Sequence, residues 1–117
     1  HKGMDAYKSA YSHDSEIVKP GYHKVELDKY KIGVELTSTA RVGMHRYTYP
    51  AGEKANVLFD VGALLAHGKT EKAAIHRISS KEIGGYSVLA PTSRRKKPVT
   101  VYFVARFNQN MTAVSVW

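Results

Sequence analysis

The strongest constraint on the fold of this chain is its alternation of apolar and polar residues in short segments that turn residues separate. The clearest case is residues 99–107, where Val, Val, Phe, Ala and Phe occupy every second position and Thr, Tyr, Val and Arg occupy the others. Successive side chains of a β-strand point to opposite faces of a sheet, so a period of two predicts a strand with one buried face. The chain is therefore predicted to be all-β.

Turn signals divide the rest of the chain into similar segments. Pro20 and Gly21 precede a first alternating segment, residues 28–31 predict the turn of a hairpin, and Pro50 ends a third strand because proline cannot donate to a ladder. The only stretch compatible with a helical turn, residues 63–74, is broken by Gly68 and is predicted to be a loop. Seven or eight closely spaced strands predict an antiparallel β-sandwich. The predicted strands are residues 24–27, 32–37, 41–49, 56–61, 75–80, 82–89, 99–107 and 113–117, with a bulge or tight bend at Gly84 and Gly85.

Length and composition limit the number of domains that the chain can form. With 117 residues, of which 43% are hydrophobic, the chain is long enough for one cored domain and too short for two, so a single domain is predicted over residues 1–117. The sequence begins with His1 and ends in an alternating apolar segment, which predicts that this domain is part of a longer chain. No apolar run approaches the ~20 residues of a membrane span, and no signal peptide is apparent. Cysteine is absent, which excludes disulfides, thiolate metal sites and a cysteine nucleophile.

The net charge of +8 is concentrated in the second half of the chain. Residues 61–117 hold nine Lys or Arg residues against two Asp or Glu, and the densest run is residues 94–97, Arg-Arg-Lys-Lys. A solvated hairpin tip is the favoured interpretation of this run. Nucleic-acid binding is the alternative, but it requires basic residues interleaved with exposed aromatic residues or a reading motif, and neither is present. No nucleic-acid partner is predicted.

Residues 11–50 carry a recognisable pattern of motifs. They contain S-H-x-x-E, P-G-Y, E-L-T, R-x-G and H-R-Y-x-x-P in this order. This arrangement resembles the amino-terminal β-domain of the glycoside hydrolase family 92 exo-α-mannosidases. The similarity continues with lower specificity through ANVLFDVG, EIGGYS and VYFVARFNQ. Met44 and His23 depart from the family, which usually has an aromatic residue and often a tyrosine at these places, and both changes are expected to affect packing.

The resemblance implies a role within a larger enzyme. Family members are two-domain glycosidases in which the amino-terminal β-sandwich, part of a supersandwich-like domain, packs on a helical catalytic domain. They remove terminal α-mannose from glycans with inversion, and they use a glutamic acid, a carboxylate-activated water and a Ca²⁺ ion held by the helical domain. Most are exported by bacteria, which implies a secreted, periplasmic or cell-surface location. None of the catalytic or calcium-binding residues maps onto this chain, so the chain alone is expected to be inactive.

The acidic residues agree with this expectation. An inverting glycosidase needs two carboxyl groups roughly 6.5–9.5 Å apart. Asp14 and Glu16, two residues apart, would lie about 7 Å apart if extended, but exposed acidic pairs are usually only solvated. Asp60 interrupts an apolar segment. It is either an acid whose pKa is perturbed by desolvation or, in the favoured interpretation, a hydrogen-bonded acid at a strand end. No catalytic residue is predicted.

Histidines and one arginine complete the candidate residues. His13 lies beside two acids, but hard cations such as Ca²⁺ prefer six or more oxygen ligands, so no metal site is predicted. Arg41 and His45 would share a strand face with Gly43 between them, either reaching a ligand or forming a polar layer between sheets. The residues predicted to contact a substrate pocket or a domain interface are His13, Asp14, Glu16, Arg41 and His45.

Two further interpretations stay open. Exposed aromatic rings on a β-sandwich can stack on sugars, so the alternative function is a stand-alone carbohydrate-binding module, with Tyr47, Tyr49 and Tyr102 as candidates. A sandwich that is only part of its domain would also expose strand edges, which predicts self-association. Other enzyme classes are disfavoured because the sequence contains no G-x-S-x-G elbow, phosphate-binding glycine loop or H-E-x-x-H motif.

Overall fold

A computed structural model describes residues 4–63 and 68–115 of the chain. The backbone forms two compact units, His1–Val57 and Leu58–Trp117. Within the described residues there are seven strands in two antiparallel sheets, and the only helical turns are two short 3₁₀ segments. The predicted all-β, antiparallel class is confirmed. No described helix has the length and apolar character needed to cross a membrane.

The first unit is a four-stranded meander. Its strands are consecutive neighbours joined by three tight turns. Gly21 adopts a φ of +73° in the first turn and Lys31 a φ of +51° in the second, and in the third the Thr39 N–H donates to the Val42 carbonyl oxygen at 2.8 Å. Val25 pairs with Val34 across the central strands, and these two side chains, 8% and 6% exposed, are its buried core. The strands are β1 (Ile17–Lys19), β2 (Tyr22–Leu27), β3 (Ile32–Ser38) and β4 (Gly43–Thr48).

The second unit is a three-stranded antiparallel sheet in which β6 lies between β5 and β7. Its strands are β5 (Thr70–Arg77), β6 (Glu82–Leu89) and β7 (Val99–Arg106). Ile83, 4% exposed, is its buried apolar residue. Phe59 covers one face of the sheet: its ring stacks on Phe103, with centroids 6.3 Å apart, and meets Phe107 edge-on at 5.9 Å.

Gly84 and Gly85 were predicted to mark a bulge or tight bend, and that prediction is wrong. Both lie within the regular ladder of β6, and the irregularity of this sheet falls between Thr70 and Lys72 instead. The reason for glycine is close approach. A Cβ atom at Gly85 would meet the Ala74 carbonyl oxygen and would lie 2.7 Å from the ring of Phe103.

Other strand boundaries also differ from the prediction. Residues 56–61 form no strand: the ring of Phe59 packs on Phe103 of β7, whereas Val57 and Leu58 are each 43% exposed. The strand predicted over residues 41–49 is shorter, Gly43–Thr48. Part of the predicted loop, from Thr70 onward, is strand β5, whereas residues 64–67 lie outside the described residues. Residues 113–115 of the predicted final strand are not extended in a ladder, and residues 116 and 117 are outside the described residues. Strand β1 was not predicted.

Candidate functional site

The side chain of Glu16 connects two segments of the first unit. Its carboxylate accepts a hydrogen bond from His13 Nδ1 at 2.6 Å and another from His23 Nε2 at 2.8 Å. The Glu16 side chain is only 17% exposed, whereas His13 is 80% and His23 39% exposed. One carboxylate therefore joins two imidazoles from separate segments of the chain.

Local structure explains why these groups meet. Ser12 caps the 3₁₀ turn His13–Ser15 by accepting a hydrogen bond from the Asp14 backbone N–H, and Glu16 ends that turn. Residues i and i+3 of a 3₁₀ turn lie on the same side, which brings His13 to Glu16. Strand β1 then follows directly and pairs with β2, so that His23 lies opposite Val18.

Hydrogen bonding sets the ionisation of this carboxyl group. The pKa of Glu16 is lowered from the ordinary value of 4.5, chiefly by the hydrogen bond from His13 and next by that from His23, and partial burial opposes the shift. Glu16 is thus ionised at neutral pH. An ionised carboxylate that is already hydrogen-bonded twice is poorly suited to act as the general acid of a glycosidase.

His23 also belongs to a row of side chains that crosses the sheet. The register places Val18, His23, Leu36 and His45 opposite one another on β1 to β4. They therefore share one face. Both imidazoles line a shallow depression of about 300 Å³ at the end of the sheet. Its lining residues are Val18, Lys19, Gly21, Tyr22, His23, Leu36, Thr37, Ser38, Gly43 and His45.

The two histidines of this depression are oriented by neighbours. His23 Nε2 is held by Glu16, and His45 Nδ1 lies 2.8 Å from the Tyr47 hydroxyl. Among the described residues, neither His23 Nδ1 nor His45 Nε2 has a hydrogen-bond partner. Each ring therefore keeps one nitrogen that can donate to or accept from a hydroxyl group of a ligand.

The opposite face of the same sheet carries a row of polar side chains that hydrogen-bond across the strands. The Tyr22 hydroxyl donates to Glu35 Oε1 at 2.8 Å, and Arg46 Nη1 lies 3.4 Å from Glu35 Oε2. The hydrogen bond from Tyr22 is the main cause of a lowered pKa at Glu35, and the same bond raises the pKa of Tyr22. The alternation of His45 and Arg46 between faces follows the sequence prediction. Glu35 of this row also lines a depression of about 430 Å³ that includes Lys24, Gly33, Thr48 and Pro50.

The predicted site residues are only partly brought together. His13 and Glu16 are in contact, and His45 lies on the row that includes His23. Asp14 is exposed within the 3₁₀ turn, so it is not extended beside Glu16 as a strand pair would be. Arg41 is exposed in the bend before β4 and does not line the depression with His45.

Three other predicted residues have structural partners. Asp60 Oδ1 accepts hydrogen bonds from the backbone N–H groups of Gly62 and Ala63, at 3.2 and 2.9 Å. Of the two interpretations of Asp60, these bonds agree with the hydrogen-bonded acid. The Tyr49 hydroxyl donates to the Asn56 carbonyl oxygen at 2.8 Å. Burial raises the pKa of both Tyr47 and Tyr49. Of the three candidate tyrosines, Tyr102 alone presents a largely exposed ring, at 77%.

Sequence reasoning did not identify His23 as a site residue. It was assigned to packing, and its contact with Glu16 depends on β1, a three-residue strand with no alternation of its own. The available signal was the Pro20-Gly21 turn. A turn at that place folds residues 17–19 back on residues 22–24 and so brings Glu16 toward His23.

No group of three or more His, Asp or Glu side chains suited to a metal ion occurs among residues 4–63 and 68–115. His13, His23 and Glu16 supply two imidazoles and one carboxylate, and the carboxylate is already hydrogen-bonded to both imidazoles. Ca²⁺ prefers six to eight oxygen ligands. The described residues therefore do not fit a calcium site.

Comparisons with known proteins agree on one family. The family model of the glycosyl hydrolase family 92 N-terminal domain matches residues 1–117. A family GH92 α-mannosidase from Bacteroides thetaiotaomicron, solved alone and with mannoimidazole, is similar to this chain with 35% identity and a TM-score of 0.80 in both structures. The similarity covers 91% of this chain but only 13% and 14% of those chains. No curated protein matches.

Proposed function

The chain belongs to the N-terminal domain family of glycosyl hydrolase family 92, and from that membership we propose that it is the β-domain segment of an α-mannosidase. Its role in the parent enzyme is to pack against a helical catalytic domain and to frame one side of the pocket for an α-mannoside. The observation that carries this proposal is the 35% identity and TM-score of 0.80 to a GH92 α-mannosidase over 91% of the chain.

The depression at the end of the first sheet is the surface that we assign to the pocket. It contains two oriented imidazoles with one ring nitrogen each for a ligand. A sugar presents several hydroxyl groups that both donate and accept, and imidazole nitrogens satisfy either role. The depression is shallow, so it suits one wall of a site that another domain completes.

Calcium dependence and inversion belong to the proposal for the parent enzyme, and neither is assigned to residues of this chain. The described residues do not fit a calcium site, and the Glu16 carboxylate is held by two histidines. When bound, Ca²⁺ would supply electrostatic stabilisation at the sugar. We assign its ligands and the two catalytic carboxyl groups to the part of the parent enzyme outside this chain.

The proposal is tested by comparing the 117-residue chain with its parent polypeptide. An aryl α-mannoside is incubated with each, with and without Ca²⁺. The expected result is metal-dependent turnover by the parent enzyme and none above blank by the chain alone. Turnover by the isolated chain, or absence of α-mannoside hydrolysis by the parent enzyme with Ca²⁺ present, would contradict the proposal.

The role of the depression is tested in the parent enzyme. Replacing His23 or His45 by Ala removes a hydrogen bond to the substrate, which typically costs about 0.5–1.5 kcal/mol, or up to about tenfold in kcat/KM. His76→Ala is the matched control, because His76 is an exposed histidine on β5 in the other unit. Equal kinetics for all three variants would remove the depression from the proposed pocket.

We also propose that the parent enzyme is exported by a bacterium to reach glycans. This location is supported only by the family of the chain and by the bacterial source of the similar mannosidase. Fractionation of the source cells, followed by mannosidase assays of each fraction, tests it. Activity confined to the cytoplasmic fraction would contradict it.

A stand-alone carbohydrate-binding module is the second candidate, and one observation favours it. Tyr102 is 77% exposed and lies beside Tyr86, with ring centroids 6.1 Å apart. Two neighbouring rings can stack on a sugar face. Titration calorimetry of the chain with mannan would show saturable binding that Tyr102→Ala abolishes, whereas absence of heat would exclude this function.

A further inference from the structure

The connection between β6 and β7 carries the densest positive charge of the chain. Residues 94–97 are Arg, Arg, Lys and Lys, and Arg94, Lys96 and Lys97 are exposed. The unit that contains them, Leu58–Trp117, has nine Lys or Arg residues against three Asp or Glu. The three exposed cations therefore lie in a unit whose overall charge is strongly positive.

Arg95 differs from its neighbours because its guanidinium group is turned toward the backbone. Its Nη2 atom donates to the carbonyl oxygens of Ala90, at 2.5 Å, and Leu89, at 3.4 Å. Its Nε atom donates to the Lys97 carbonyl oxygen at 3.1 Å. The planar guanidinium group thus joins the beginning of the connection to its end, which a single ammonium group cannot do with the same geometry.

Further hydrogen bonds order the same connection. The Thr92 backbone N–H donates to the Arg95 carbonyl oxygen at 2.7 Å, and the Arg95 backbone N–H donates to Thr92 Oγ1 at 3.1 Å. The Ala90 N–H donates to the carbonyl oxygen of Lys69 at 2.8 Å, which ties the connection to the residue before β5. Because the backbone is already ordered, a ligand would meet a smaller entropic cost on binding.

The exposed cations lack acidic partners. The three acids in this unit are Asp60, Glu71 and Glu82. Asp60 accepts from backbone N–H groups of its own turn. Glu71 lies at the irregular start of β5, and among the described residues it forms no ion pair. Glu82 pairs with Arg106 at 3.6 Å, at the opposite end of β6 from the connection. Among the described residues, no ion pair involves Arg94, Lys96 or Lys97. Their charges are therefore available to an anion in solution.

We propose that residues 90–98, the basic connection, bind the anionic substituents of an acidic glycan, with Arg94, Lys96 and Lys97 as contacts and Arg95 as the positioning residue. Sulfate and phosphate groups share the required charge and acceptor oxygens. The basic connection contains no aromatic residue, so it lacks the stacking surface of single-strand nucleic-acid sites. The choice of a glycan over another polyanion rests on the proposed function.

Heparin is the sulfated probe, and the 117-residue chain is titrated with it calorimetrically at several salt concentrations. The combined variant Arg94→Ala, Lys96→Ala and Lys97→Ala is expected to bind at least about tenfold more weakly at low salt, with a log–log salt slope smaller by about 2–3. The control combines Lys24→Ala, Lys29→Ala and Lys54→Ala, three exposed lysines of the other unit that do not line the depression assigned to the pocket. It loses the same net charge and is expected to weaken binding less than about threefold.

Arg95 tests the positioning role. Arg95→Lys keeps the net charge but loses the planar guanidinium group, so heparin binding is expected to weaken about threefold or more. Circular dichroism of every variant checks that the β-structure is retained. Wild-type heparin affinity in a folded Arg95→Lys variant would overturn the positioning role, since charge alone would then account for binding.

The remaining outcomes also decide the proposal. Equal losses in the two triple variants would show that only net charge matters and would overturn it, as would absence of heparin binding. Tighter binding to duplex DNA than to heparin would overturn the assignment to a glycan. Comparison of heparin with a phosphorylated dextran identifies the preferred anion, and either preference supports the site. The Arg94→Ala, Lys96→Ala and Lys97→Ala variant of the parent enzyme should keep wild-type mannosidase turnover, so failure of the heparin test and failure of the proposed function are distinguishable.

Discussion

At the scale of single residues, Glu16 shows how one carboxylate can connect distant parts of a small unit. It accepts from His13 in its own turn and from His23 on β2. Both bonds involve a charged acceptor in a side chain that is only 17% exposed, so solvent screens them less than it would screen a bond between fully exposed groups. The turn that precedes β1 is thereby attached to the sheet through side chains as well as through the backbone.

The ionisation of Glu16 can be measured directly. The pKa of its carboxyl group, read from a ¹³C NMR titration, is expected below 4.5 in the wild type and to rise toward that value in His13→Ala and in His23→Ala, because each variant removes one donor. His76→Ala is the control and should leave the value unchanged. An unchanged Glu16 pKa in both His13 and His23 variants would show that the bridge is absent in solution.

The same bridge makes stability depend on pH. Because the pKa of Glu16 is lower in the folded chain than its ordinary value of 4.5, the ionised bridge stabilises the fold above that value, and its contribution is lost as pH falls through the lowered pKa. Glu16→Gln should therefore lower the urea midpoint relative to wild type at about pH 6.5 and lower it less at about pH 3.5. An equal difference at both pH values would contradict this account.

At the scale of elements, the alternating pattern predicted two strands closely. Residues 32–37 and 99–107 were assigned almost to their observed ends, Ile32–Ser38 and Val99–Arg106. Residues 56–61 were not, because an apolar segment that covers a sheet has the same composition as one that joins it. Strand β1 was missed since its three exposed residues have no burial pattern. The contact of Glu16 with His23 depends on that strand, so this part of the site was not predictable from periodicity.

The middle of β6 offers a sharp test of packing within one element. A Cβ atom at Gly85 would lie 2.7 Å from the Phe103 ring and would meet the Ala74 carbonyl oxygen. Gly85→Ala should therefore force the three strands apart and destabilise the second unit by about 1–3 kcal/mol. Gly62→Ala is the matched control, because its Cβ atom would meet only Asp60 Oδ1, at 3.7 Å. Urea unfolding monitored by circular dichroism measures both, and equal midpoints would contradict the predicted clash.

At the scale of the whole molecule, the chain exposes more surface than its mass predicts. The accessible surface is 9662 Å² for 13.0 kDa, against about 6,300 Å² for a typical monomer of this mass. Two separate compact domains of half the mass would together expose only about 7,700 Å². Among the described residues, no side chain falls below 2% exposure. Each unit thus has a thin core among the described residues.

The open edges of the two sheets lead to the last prediction, self-association of the isolated chain. Strand β7 is an outer strand of its sheet, with Tyr102 77% and Val104 68% exposed. Unpaired edge backbone and apolar side chains favour pairing with another strand, and a lysine on the edge opposes it. Val104→Lys should therefore weaken concentration-dependent dimerisation in light scattering by about tenfold or more, whereas Val57→Lys, outside any strand and 43% exposed, should not. A wild-type chain that stays monodisperse and monomeric at high concentration would show that the edge is protected without a partner.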